Sequence, residues 1–259
     1  MKLKNLIKFR HIRVRRLTRI QLAIRLCALG AAVCLIMALA SYTFIDKDYK
    51  SNVKSGELTV DFTEYISVRV LNTPLYIYST DDELITVKYV CDSNVSVYDD
   101  HGRLMIEQEP EFVISLLAAQ QLDYRVELYL PQKAYQSINL TTNSGKIYAD
   151  ALDSYMLSIK SKDGYVCVDD LKCSGNLTLD FETAGADIDI SAFSGGRLTN
   201  VSGNINLSFD DPASIYIIPG SRCYFNGIAI SGEARKGEGE ELYIASPSGR
   251  VRIFTGTKN

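Results

Sequence analysis

Beyond residue 45 the chain holds a single histidine, His101, set beside Gly102 in the turn-rich stretch Asp99-Asp100-His101-Gly102. A Ser-His-Asp hydrolase would have to run through that one imidazole, and no Gly-x-Ser-x-Gly elbow accompanies it. A zinc site needs further histidines or a Cys-x-x-Cys pair, and the sequence has neither there. His101 therefore reads as a solvated loop residue. Among the acidic residues, Asp187 and Asp189 flank Ile188 and point outward together, with Asp169-Asp170, Asp180, Glu182 and Asp210-Asp211 nearby in sequence. Calcium-binding solenoids repeat a Gly-Gly-x-Gly-x-Asp run. That run is missing here, and the aspartates do not recur at one position. The polar positions Lys146/Tyr148, Tyr165/Cys167, Asp187/Asp189, Asn204/Asn206 and Arg250/Arg252 make a mixed face instead. A β-helical polysaccharide-active enzyme would need clustered carboxylates for a metal plus a base, and neither stands out. The expectation is a non-enzymatic chain with no catalytic, cofactor-binding or metal-binding residues and no cofactor.

Cys91, Cys167, Cys173 and Cys223 allow three disulfide pairings. Cys167 and Cys173 lie close enough in sequence to bridge the Asp169-Asp170-Leu171 bend. Free thiols are the favoured reading, because a domain of roughly 200 residues has core enough to fold without staples. Cys27 and Cys34 read as apolar helix residues; Ala31-Ala32-Val33 before Cys34 lacks the pattern of a lipid-attachment site.

The charge is split along the chain. Residues 1–45 carry nine Lys/Arg and no acid, leaving 19 basic residues against all 31 acidic ones from Asp46 onward, a formal −12. So acidic a segment excludes nucleic acid as a partner, since that needs clustered Lys/Arg to displace counterions. Leu26 to Ile45 is a run of 20 uncharged residues, long enough as a helix to span a hydrocarbon core of about 30 Å. With the positive charge before it, the N-terminus is expected in the cytoplasm and Asn259 outside the cell membrane. Residues 1–25 form a basic cytoplasmic tail, 26–45 a single transmembrane helix, 46–57 a linker and 58–259 an extracytoplasmic domain. Ala38-Leu39-Ala40 has the pattern a signal peptidase cuts, yet the apolar run continues through Ile45, so an uncleaved anchor is the favoured reading. Arg13, Arg15, Arg16 and Arg19 could hold anionic headgroups or dock a cytoplasmic partner.

From Leu58 onward apolar and polar residues alternate, the mark of half-buried strands. Leu58/Val60/Phe62, Ile66/Val68/Val70, Ile85/Val87/Tyr89 and Val126/Leu128/Leu130 show the pattern, with turn residues such as Asn72-Thr73-Pro74 between them. Only Glu111 to Gln121 reads as helical. From Ile138 the strands recur around small-residue turns: Asn143-Ser144-Gly145, Lys162-Asp163-Gly164, Ala184-Gly185-Ala186, Val201-Ser202-Gly203 and Pro247-Ser248-Gly249, with Ser231-Gly232 a degenerate copy. Placing the turn at 145, 164, 186, 203, 232 and 249 gives intervals of 19, 22, 17, 29 and 17. A period near 20 residues predicts stacked coils, a β-solenoid. The stack predicts inward ladders Ile147–Val166–Ile188–Ile205–Val251 and Val168–Ile190–Leu207–Ile253. Gly145, Gly164 and Gly203 are expected at positive φ, with Ala186 standing where glycine should be. Asp210 to Gly227 breaks the period as an insertion or a capping coil.

These strands, with Leu130-Pro131 and Tyr135 leading into Ile138-x-Leu140-x-Thr-x-x-Gly145-x-Ile147 and the recurring Ser-Gly-x-(Ile/Val) turns, resemble the putative-adhesin family of bacterial surface proteins over residues 56–255. The resemblance implies a domain of β-strand repeats without agreed catalytic residues. The fold expected is all-β, a β-solenoid or β-helix-like repeat ectodomain on one N-terminal transmembrane helix. The function expected is a membrane-anchored, surface-displayed, adhesin-like interaction domain meeting cell wall, glycan or protein. An envelope-sensing regulator signalling through the basic tail is the main alternative.

Overall fold

The computed structural model describes residues 24, 27–37, 54–91, 93–109, 124–210, 213–218, 221–231 and 233–255. The chain divides into two compact units, Met1–Lys50 and Ser51–Asn259. In the first, residues 27–37 are helical. Among the described residues no helix is long and apolar enough to cross a membrane; the flanks of the Leu26–Ile45 run lie outside them, as does Glu111–Gln121.

The second unit is all-β, and its alternating side chains pack as parallel coils. One sheet runs, in spatial order, β6 (Arg103–Gln108), β2 (Tyr65–Val70), β8 (Tyr135–Thr142), β10 (Leu152–Ser161), the second half of β11 (Tyr165–Phe181), β13 (Gly196–Asn200), β19 (Glu240–Ala245) and β15 (Ala213–Ile217), all parallel. The other sheet runs β7 (Arg125–Pro131), β3 (Leu75–Thr80), β9 (Ile147–Ala149), the first half of β11, β12 (Gly185–Phe193), β14 (Asn204–Phe209), β20 (Arg250–Thr255) and β16 (Arg222–Phe225). Each coil therefore contributes one strand to each sheet. A short third face forms where β10, β11 and β12 bend between the two, pairing Leu152 with Leu171 and Leu171 with Ile190.

Period two sends alternate side chains of both sheets inward, and these form one continuous core. In the first sheet the row Ile106, Val68, Leu140, Ile159, Leu179, Leu198, Ile244 and Ile217 crosses eight strands in register, every member buried. Each such aliphatic group contributes ~1.5–3 kcal/mol on burial.

The second sheet corrects the expected register. Val166 stands between Ile147 and Ala186, and the row continues to Ile205 and Val251. Ile188 belongs to the next row, with Val168, Leu207 and Ile253, while Ile190 faces Leu171 and Phe209. The turn residue of that coil is thus Ala184, which makes the steps Gly145, Gly164, Ala184 and Gly203 nearly even at 19, 20 and 19 residues.

Gly145, Gly164 and Gly203 are not at positive φ; among described glycines that conformation occurs at Gly102, Gly195, Gly227, Gly237 and Gly239. Their reason for being glycine is proximity between coils. A Cβ on Gly164 would lie 2.0 Å from the carbonyl oxygen of Gly145, and one on Gly203 1.7 Å from that of Ala184.

At both ends the coils depart from chain order. β2 and β3 slot between the β6–β7 coil and the β8–β9 coil, although they precede both in sequence. Likewise β19 and β20, the last strands, lie between β13–β14 and the earlier β15–β16. Antiparallel strands close the ends. β5 (Val95–Asp100) pairs with β6, β4 (Ile85–Cys91) with β7, and β1 (Lys54–Val60) with β4. At the other end β17 (Ile228–Ser231) pairs with β16 and β18 (Ala234–Lys236) with β15. The break in period after Asp210 is this cap, and Ser231, read as part of a degenerate turn, is the last residue of the hairpin strand β17, while Gly232 lies outside the described residues. β1 begins at Lys54, inside the segment read as a linker.

Candidate functional site

His101 occupies the β5–β6 hairpin turn at φ 56°, fully solvated, its Nδ1 2.7 Å from Asp100 Oδ1. Among the described residues no serine hydrogen-bonds to it. The cysteines are thiols. Cys173 is buried, with Sγ 3.5 Å from the Tyr155 carbonyl oxygen. Cys167, on the opposite, outward side of β11, lies 3.8 Å from Asp169 Oδ1. A bridge around the bend would have to join side chains that leave the strand from different faces. Among the described residues no three His, Cys, Asp or Glu side chains gather where a metal ion could be held.

The outward face of the second sheet concentrates the aromatic and acidic chemistry. Tyr76 and Tyr78 leave β3 on either side of buried Ile77, Tyr129 leaves β7 between Leu128 and Leu130, and Tyr148 leaves β9 between Ile147 and Ala149. Parallel pairing brings Tyr76 opposite Tyr148 and Tyr78 opposite Tyr129. Their rings lie 5.2 Å and 5.1 Å apart between centroids, the planes of the first pair nearly parallel at 11°. This is the offset-stacking range for aromatic pairs. Burial, then the Glu127 carboxylate, pushes the Tyr78 and Tyr129 phenols up. The tyrosines form a half-buried platform edged by the Glu127 carboxylate.

The corrected register carries the face onward. Tyr148, Cys167, Asp187, Asn206 and Arg252 form one outward row. Asp187 accepts hydrogen bonds from both sides: from the Tyr165 hydroxyl, and from Asn206 Nδ2 at 2.5 Å. The hydrogen bond to Asp187, with burial, holds the Tyr165 phenol well above its usual range. The parallel row Asp189, Ser208 and Phe254 runs beside it. Beyond Phe254 the β16–β17 turn Asn226–Gly227, both residues at positive φ, rises from the sheet. These residues bound an open groove of about 770 Å³.

The sequence marks each of these side chains as outward-facing, but it does not show that the tyrosines meet, because β2–β3 enter the stack out of order. Phe254 and Asn226 leave no sequence signal beyond alternation and an Asn-Gly turn.

The family model described as Toastrack DUF4097 matches residues 63–209, which is more than half of the chain. The chain belongs to the Toastrack DUF4097 family. The match bears out the resemblance read from the repeats, and in this Toastrack chain it stops at Phe209, the last residue of β14. Solved structures with a similar fold include a "putative cell adhesion protein" from Clostridium sporogenes (15% identity, 78% of this chain and 99% of that one, TM-score 0.44). A "putative adhesin" from Bacteroides fragilis (10% identity, 78% and 96% coverage, TM-score 0.38) is similar too, as is a "putative lipid binding protein" from Parabacteroides distasonis (14%, 78% and 96%, TM-score 0.31). No curated protein matches the Toastrack chain.

Proposed function

We propose that this Toastrack chain is a membrane-anchored, extracytoplasmic interaction module of adhesin-like kind, without enzymatic activity, that grips an extended envelope ligand along the outward face of its second sheet. The observation that carries the reading is the tyrosine platform. Four phenol rings, Tyr76, Tyr78, Tyr129 and Tyr148, are drawn from three different strands into one stacked patch. Rigid aromatic area of this kind is what interaction surfaces use, because it offers contact at small conformational-entropy cost. Anchoring rests on the charge asymmetry around Leu26–Ile45, and its orientation puts the acidic domain outside.

The test has two parts. Purified cell-wall fragments should retain the detergent-solubilised full chain, and Tyr76→Ala/Tyr148→Ala should lower retention about tenfold, the effect of losing ~1.4 kcal/mol. Wild-type retention no greater than that of the double variant would refute the platform. Protease added to wall-stripped cells should digest residues 54–255 and spare an epitope tag at the N-terminus; protection of the C-terminal strands would overturn the anchoring.

A further inference from the structure

We infer that the groove between Asp187, Asp189, Asn206, Ser208, Phe254 and the Asn226–Gly227 turn binds an uncharged saccharide. The proposal rests on the interaction-module reading, since it names that module's ligand.

The floor is a small grid. Asp187 and Asn206 occupy neighbouring strands in one outward row, and Asp189, Ser208 and Phe254 occupy three neighbouring strands in the next. Adjacent strands are ~4.8 Å apart and side chains two residues apart on one strand are ~6.6 Å apart. Two carboxylates, an amide and a hydroxyl are therefore presented on a plane at the spacing of the hydroxyls around a pyranose ring or two. The groove volume of about 770 Å³ lies within the range of small-ligand sites, roughly 300–1,000 Å³.

The chemistry of the lining is that of sugar recognition. Planar carboxylate and amide groups pair with vicinal hydroxyls, while an aromatic ring covers the apolar C–H face. Phe254 supplies that ring and is 48% exposed, a large apolar group left in water beside polar neighbours. The polar groups are pre-set. Asp187 is held by Tyr165 and Asn206 together. The turn wall is tied down by Asn226 N donating to the Ile253 carbonyl at 2.8 Å, Asn226 Nδ2 donating to Thr255 Oγ1 at 3.1 Å and Thr255 N donating to Asn226 Oδ1 at 3.0 Å. Such pre-organisation removes part of the ordering cost of binding.

Charge selects within the class. Two aspartates line the groove and, among the described residues, no Lys or Arg does; Arg252 continues the Asp187 row beyond Asn206 but is not part of the lining. A phosphate, sulfate or uronate would meet like charge, which discriminates against it. A neutral or N-acetylated sugar meets no such penalty.

Isothermal titration of the full chain in detergent micelles with cellotetraose, chitotetraose and tetragalacturonate, and with a basic peptide as a control, tests this. Saturable binding of a neutral tetrasaccharide is expected, weakened about tenfold by Phe254→Ala, with tetragalacturonate bound only after Asp187→Asn/Asp189→Asn. Tighter binding of tetragalacturonate or of the peptide by the wild type, or neutral-sugar binding indifferent to Phe254→Ala, would overturn the assignment. Retention on cell-wall fragments with no neutral-sugar binding would sink the saccharide while leaving the interaction module standing. Absence of both would remove both.

Discussion

A single carbonyl contact explains why glycine recurs in this chain. Gly203 has ordinary backbone torsions, yet its missing Cβ is the space taken by the Ala184 carbonyl oxygen, 1.7 Å from where that Cβ would be. Gly203→Ala should therefore cost ~1–3 kcal/mol through overpacking, read from the urea midpoint. Gly102→Ala, where nothing lies within 4 Å, should show only the smaller strain of its φ of +80°. Equal losses would mean that the coils adjust freely. Val166, fully buried between Ile147 and Ala186, makes the complementary case: Val166→Asp puts an unpaired carboxylate inside the stack and should abolish cooperative unfolding. Alkali provides a third test. Tyr135 by burial, and Tyr165 by its bond to Asp187 with burial, hold their protons more tightly when folded. The stability this lends is complete below the unfolded tyrosine value near 10 and declines as pH rises through it. Unfolding should need less urea at about pH 11 than at about pH 8, and Tyr165→Phe should flatten part of that decline. A fall identical in the variant would place the effect elsewhere.

At the scale of the element, the turns are held from below by buried polar side chains. Asn200 is fully buried, accepting from Gly203 N at 2.9 Å and donating to Gly203 O at 2.9 Å and Ser246 Oγ at 3.2 Å. Gln108 does similar work near the other end, accepting from Leu71 N at 2.8 Å while donating to Thr73 and Ser93. Asn200→Ala strands the Gly203 N–H, while the Gly203 carbonyl keeps Arg250 N, and should cost ~1–3 kcal/mol, measurable as faster amide exchange at Gly203 before global unfolding. Strands and turns such as these are legible in the sequence because alternation and small turn residues are local signals. Their phase is not always so. In Thr183-Ala184-Gly185-Ala186 three small residues follow one another, and glycine points to the wrong one: Gly185 already pairs within β12 opposite Tyr165, and Ala184 makes the turn. A two-residue slip preserves which side chains face inward, so nothing in the pattern betrays it. It does change the partners, moving Asp187 beside Cys167 and Asn206, and so the candidate groove was not readable.

Across the whole molecule, alternation tells which face a residue takes but never which strand lies next to it. Hence neither the insertion of β2–β3 nor that of β19–β20 is visible in the sequence, and with the first of these the tyrosine platform is hidden as well. The insertions separate this domain from a simple repeat array, whose stability is a sum of neighbouring terms and which tolerates losing a terminal coil. Ending the chain after Glu238 would remove β19 and β20 from between β13–β14 and β15–β16, opening two gaps in the sheets. Loss of the cooperative transition throughout the domain is expected by circular dichroism. A truncated chain melting with most of its amplitude intact would argue that the cap is dispensable. The same strand order bears on how the molecule carries a load. A tug on the last strand of an ordinary solenoid unzips one ladder, bond after bond. Here β20 is clasped by β14 on one flank and β16 on the other, and β2 by β6 and β8. After β1 has peeled away, force from either end must shear two ladders at once, so the domain would yield last at its own two ends.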